Sequence, residues 1–105
     1  TMVFDEVDTG ISGSAAQKVG QKLHQVAENA QVICITHSPQ IACLADYHLL
    51  IQKQVRQGKT YTEIQPLDRT GRINAIARMI GGENITPLLL QNAQEMLNSA
   101  KHLTE

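Results

Sequence analysis

Apolar residues enter this chain in two rhythms, short unbroken runs and steps of three or four, and the way the rhythms alternate predicts an α/β architecture. Met2-Val3-Phe4 is an unbroken run that stops at Asp5-Glu6, the profile of a buried strand with charge at its exit. Between Ser14 and about Asn29, Ala16, Val19, Leu23, Val26 and Ala27 recur at helical spacing, with Ala30 beyond, and predict an amphipathic helix. Val32-Ile33-Cys34-Ile35, set between Gln31 and Thr36, is rich in β-branched residues and predicts a strand buried on both faces of a parallel sheet. Strand, helix, strand is therefore the expected opening unit.

The second run ends at Thr36-His37-Ser38-Pro39, where Ser38 is placed to cap a short helix that starts at Pro39 and reaches about Leu44. Tyr47 to Lys53 is a third apolar run, and Thr60 to Gln65 alternates as a fourth strand. Arg56-Gln57-Gly58-Lys59 between them reads as a hairpin turn, so the pattern changes from parallel crossover to antiparallel pair. Past Pro66 and Asp68, Ile73, Ile76, Ala77 and Ile80 predict a helix closed by Gly81-Gly82. Thr86-Pro87 opens a last helix with Leu89, Ala93, Met96, Leu97 and Ala100 on one face. No internal repeat, low-complexity segment or interdomain linker is visible.

Length adds that 105 residues fit one small domain or a piece of a larger one, and the start directly on an apolar run favours the piece. A formal charge of −1 offers no basic field for nucleic acid, so contact with DNA would have to come from elsewhere. Cys34 and Cys43 stand in apolar surroundings without metal-ligand spacing and read as reduced packing thiols of a cytosolic protein. With no apolar run near the roughly 18 residues of a membrane span and no leader segment, no membrane is expected and the location is read as cytoplasmic.

Candidate chemistry gathers at strand ends. In open α/β sheets ligands bind beyond the carboxyl ends of the strands, so Asp5, Glu6 and Asp8 would reach one ligand-facing edge. Adjacent acids there suit a divalent cation and a water that must lose a proton. An acidic, solvated turn is the plainer reading of the same letters. His37 closes the neighbouring strand, so carboxylates and an imidazole could meet on one phosphate; alone, a histidine after a strand is an ordinary loop residue. His24, His48 and His102 read as surface or strand-edge residues, and Lys53 and Arg56 as solvated hairpin charges. Gly58-Lys59-Thr60 imitates the end of a Walker A loop, but the glycine that motif needs is Lys53 here and a strand follows instead of a helix.

Taken together, Met2-Val3-Phe4-Asp5-Glu6 resembles a Walker B strand, and Ile35-Thr36-His37-Ser38 resembles the switch-histidine loop of the ABC-type ATPases. Ala42 and Ala45-Asp46 fit the same spacing. Phe4 to Gly13, with Thr36 to Ala42 downstream, is closest to the SMC-like branch of that family that acts in bacterial DNA repair. The likeness continues through Pro66-Leu67-Asp68 and Ala77 to Gly82 into the last helix. It implies a partial P-loop NTPase fold, the C-terminal subdomain of an ATPase head: parallel strands with crossover helices, a β-hairpin and two C-terminal helices over residues 1–105. It implies ATP and Mg²⁺ as cofactors, with Asp5 on the metal, Glu6 activating the attacking water and His37 at the γ-phosphate. Val7 to Gly13 would be the D-loop, reaching nucleotide across a homodimer of ATP-sandwiched heads through Asp8, Gly10 and Ser12. Many ABC proteins carry aspartate where Ser12 stands, so that contact does not transfer directly; Asp8 either replaces it or only shapes the turn. Gly10 and Gly13 are most simply turn residues able to take positive φ. Walker A, the coiled coil and the signature motif are absent and expected upstream, in the missing N-terminal half of the head.

The implied function is ATP hydrolysis in recombinational repair of DNA double-strand breaks, with DNA engaged by the full-length, nucleoid-associated protein and the isolated fragment inactive. Two rivals remain at this level. One is a Mg²⁺-dependent phosphodiesterase or Toprim-like nuclease in which Asp5, Glu6 and Asp8 bind metal directly. The other is a non-catalytic interaction domain whose helices, 86–103 above all, pair with another chain.

Overall fold

The computed structural model describes residues 1–5, 10–11 and 13–104. They form two small sheets and four helices in the order β1 (Met2–Asp5), α1 (Ser14–Ala27), β2 (Val32–Ile35), α2 (Pro39–Ala42), β3 (Leu49–Arg56), β4 (Lys59–Pro66), α3 (Arg69–Gly81) and α4 (Pro87–Leu103). β1 and β2 pair in parallel, from Met2 opposite Val32 to Asp5 opposite Ile35. β3 and β4 pair antiparallel, from Leu49 opposite Pro66 to Arg56 opposite Lys59. This is the α/β arrangement that the periodicity predicts.

Packing is concentrated among the helices. Cys43 and Leu44 at the end of α2, Ile76 and Ala77 on α3, and Ala93, Leu97 and Ala100 on α4 form one buried cluster, bordered by Ile73, Ile85, Leu89, Leu90, Met96 and Leu103. Spacings of three and four put these residues on facing stripes, and the alanines let α3 and α4 approach closely. Ile76 is fully enclosed, a burial that stabilises the fold by about 2–3 kcal/mol. Of the predicted α3 stripe, Ile80 is the exception: it is exposed, and Ala75 is buried in its place.

The helix ends follow from local chemistry. Asp68 caps α3 by accepting a hydrogen bond from the Gly71 amide at 2.8 Å, and Thr86 caps α4 through the Leu89 amide at 3.2 Å. α3 stops at Gly82, whose φ of 78° a residue with a Cβ would adopt only under strain. Ser38 occupies the N-cap position of α2, but its side chain makes no capping bond; its hydroxyl donates to Gln40 Oε1 instead. α2 also closes earlier than the expected Leu44, at Ala42, because the Leu44 and Ala45 amides bond three residues back and tighten the chain into turns.

Two expectations about the strands need correction. β1 and β2 are not buried on both faces: Val3 is 63% exposed, and Met2, Ile33 and Ile35 also meet solvent. α1 packs against β2 and α2, and Val3, Ile33 and Ile35, which share the other face of the pair, are left exposed. The hairpin strands run closer to the turn than predicted, while the turn itself falls at Arg56 to Lys59 as expected. Only Gln57 and Gly58 form its loop, both with positive φ of 52° and 76°, as a two-residue type I′ turn demands. Leu50, Gln52 and Gln54 are half-buried, whereas Leu49, Ile51 and Val55 on the opposite face are exposed.

Candidate functional site

A parallel register settles where the two strand ends lie. Asp5 is the last residue of β1 and stands opposite Ile35, the last residue of β2. Paired strands are about 4.8 Å apart, so Thr36-His37 leaves the sheet beside the point where the chain leaves β1. Asp5 and His37 are both exposed at this rim. Glu6, Asp8 and Ser12, the predicted general base and two of the predicted D-loop contacts, lie outside the described residues. Gly10 and Gly13, which border that segment, have φ of 82° and 60°, the conformation expected of them as turn residues.

His37 is carried on a short, ordered lead-in to α2. The Ser38 amide donates to Thr36 Oγ1 at 2.9 Å, which folds residues 36–38 into a local turn ahead of Pro39. Ser38 itself is buried. The Ala42 amide then bonds the Ser38 carbonyl and the Cys43 amide the Pro39 carbonyl, each at 3.0 Å, so α2 grows directly out of the histidine loop.

The acceptor chemistry suits a hard cation in one respect. Asp5 offers a carboxylate at the rim, and Mg²⁺ commonly takes one or two carboxylates, keeping waters and substrate phosphates for its remaining positions. Among the described residues no three His, Cys, Asp or Glu side chains gather as a metal cage. A cleft of about 360 Å³ lies elsewhere: Gln17, Gln40, Cys43, Glu95 and Ser99 line it, and neither Asp5 nor His37 does.

Sequence reasoning missed a second polar cluster, behind α2. Arg72 of α3 points its guanidinium at the end of α2, where Nη2 donates to the carbonyls of Ala45 at 3.0 Å and Ala42 at 3.3 Å. Its Nε is buried without a partner among the described residues, as is Nδ1 of His48. Burial, and then the charge of Arg72, push the His48 imidazole below its ordinary pKa; His48 is half-buried at the edge of β3, the strand-edge place expected of it. Burial also raises the Cys43 thiol, consistent with packing rather than reactivity, and no disulfide joins it to Cys34. His24 approaches Asp46 at 3.5 Å. The signal for Arg72 was present in the letters: it lies three and four residues before Ala75 and Ile76, a charge on the stripe that turns inward.

No family model matches the chain. Single proteins do, over nearly the whole of this chain, and they are bacterial DNA repair proteins. The chain is 45% identical over 100 residues to the DNA repair protein RecN of Bacillus subtilis, 47% over 98 residues to that of Haemophilus influenzae and 45% over 100 residues to that of Vibrio cholerae. These alignments take in 95%, 93% and 95% of this chain, and it spans only 17%, 18% and 18% of the three relatives. Over the matched residues the chain belongs to the RecN family. The nuclease and stand-alone interaction readings are not favoured by this kinship. No helix among the described residues is long and apolar enough to cross a membrane.

Proposed function

We propose that this chain is the C-terminal part of an ATPase head of the SMC-like type, a partial P-loop NTPase fold, and that the full-length protein hydrolyses ATP during recombinational repair of DNA double-strand breaks. The observation that supports it best is the register of β1 on β2, since it sets Asp5 and the His37 loop on a single rim at the carboxyl ends of parallel strands. In this reading Asp5 holds Mg²⁺, which when bound neutralises charge on the triphosphate. Glu6 orients the attacking water and takes its proton. His37 donates to a γ-phosphate oxygen as negative charge redistributes, help of the electrostatic kind on which phosphoryl transfer depends. Asp8, Gly10 and Ser12 face the nucleotide of a second head in an ATP-sandwiched homodimer.

The phosphate loop belongs to the remaining part of the head, and DNA is engaged by the full-length protein. The exposed apolar surfaces of β1, β2 and the hairpin accord with a unit made to be completed by other parts of a longer protein. The 105-residue chain alone is accordingly expected to bind nucleotide weakly and to turn none over. The test is ATP hydrolysis by the full-length protein with Glu6→Gln or His37→Ala. Removal of a positioned base or phosphate contact should lower kcat by about 10²-fold or more with ATP still bound. Undiminished turnover in both variants, or hydrolysis by the short chain itself, would count decisively against this reading.

A further inference from the structure

His37 has no rigid element of its own: it precedes a helix of a single turn, Pro39–Ala42. Such a helix is too short to hold itself in place, so its position is set by what grips it. One grip is on the α1 side, where Gly20 lets the two backbones come close; a Cβ at residue 20 would stand 3.4 Å from Ile41 Cα. Beyond the packing of Cys43 and Leu44 in the core, a further grip is Arg72, reaching from α3 to the carbonyls of Ala42, the helix's last residue, and of Ala45 in the turns that follow it. These bonds fall at and just past a helix terminus, where intrahelical donors run out; Ala42 also accepts from the Ala45 amide at 3.2 Å. Arg72 is itself anchored, since its helix carries Ile76 and Ala77 into the core.

We propose that Arg72 is a positioning residue for His37: by tying the carboxyl end of the one-turn helix to α3, it sets how far the histidine loop projects from the end of β2. The proposal rests on the reading of His37 as the residue that meets the γ-phosphate. Arg72 touches no substrate and acts only through residues 38–45. Its neighbour Arg69 separates this role from a simple charge effect, because Arg69 bonds Asn98 on α4 rather than α2.

The test uses the full-length protein with Arg72→Met, Arg72→Lys and Arg69→Met, with two readouts. In steady-state kinetics Arg72→Met should lower kcat about 10- to 100-fold, the usual penalty for a reacting group displaced by an ångström, and leave KM for ATP unchanged. Arg72→Lys should recover most of the loss, because an ammonium group can also donate to both carbonyls. Arg69→Met should match the parent. In hydrogen exchange, amides of residues 36–45 should open about tenfold faster in Arg72→Met, while those of 87–103 keep their protection. Unchanged kcat with unchanged exchange in 36–45 overturns the proposal. So does loosening of 36–45 and 87–103 together with no rescue by lysine, which would make Arg72 a general support of the core. A parent protein without ATP hydrolysis strikes the ATPase reading instead, and the exchange arm alone then decides whether Arg72 holds the histidine loop.

Discussion

From Cys43 to Leu103 the helices turn their apolar stripes toward one another, whereas the four strands, built from residues just as apolar, leave much of theirs in water. α3 and α4 bury Ile76, Ala93, Leu97 and Ala100 in one cluster. On the hairpin Ile51 is 53% and Val55 72% exposed, although Ile51 and Ile64 sit side by side across the ladder. Composition does not separate the two regions; partners do. The helical part is internally complete, and the stranded part presents a surface whose stabilisation has to come from contact with something else.

That contrast can be broken most sharply by paired truncations. Ile76→Ala should destabilise the chain by about 2–5 kcal/mol, since it empties a site with no solvent on any side. Ile51→Thr should change urea-unfolding stability by less than about 0.5 kcal/mol and should reduce self-association. Equal costs at the two positions would mean that the hairpin face is buried in solution. A smaller effect is expected at the α1–α2 approach. Gly20→Ala places a Cβ 2.6 Å from Leu44 Cδ1, and because Leu44 belongs to the closed core its yielding should cost about 1–3 kcal/mol. A variant as stable as the parent would show that the helical end is looser than the comparison claims. The smallest effect should lie at the hairpin tip, with the opposite sign. Gln57 has a φ of 52°, which asparagine tolerates better in a type I′ turn, so Gln57→Asn should raise stability by up to about 1 kcal/mol. Thermal unfolding of the two proteins side by side checks it.

The same contrast explains what the letters could and could not disclose. Helices 69–81 and 87–103 were legible with their caps because period, cap and stop residues are local, and Asp68, Gly82 and Thr86 each do in space what their types suggest. The hairpin was legible too, turn included, since Arg56-Gln57-Gly58-Lys59 marks its two-residue loop; only the extent of the flanking strands was not. Burial was not. Val32 to Ile35 has the composition of a strand covered on both sides, but cover is supplied by tertiary neighbours and leaves no mark on the strand itself. At the rim, Asp5 and His37 were legible as the ends of adjacent runs, and the register brings those ends together. Arg72 escaped because a single charge on an apolar stripe is easily taken for solvated noise.

The parallel pairing of β1 with β2 has a kinetic corollary. Met2 must find Val32 across twenty-nine residues of intervening chain, whereas Arg56 meets Lys59 over a two-residue loop. Closing the long loop forfeits more chain entropy before any contact repays it, and hairpins of this kind zip in microseconds. During refolding the hairpin and the α3–α4 pair should therefore mature first, and the ledge bearing Asp5 and His37 last. Pulse-labelled amides of Phe4 and Ile33 should accordingly gain protection later than those of Gln52 and Glu63, which face their partner strands.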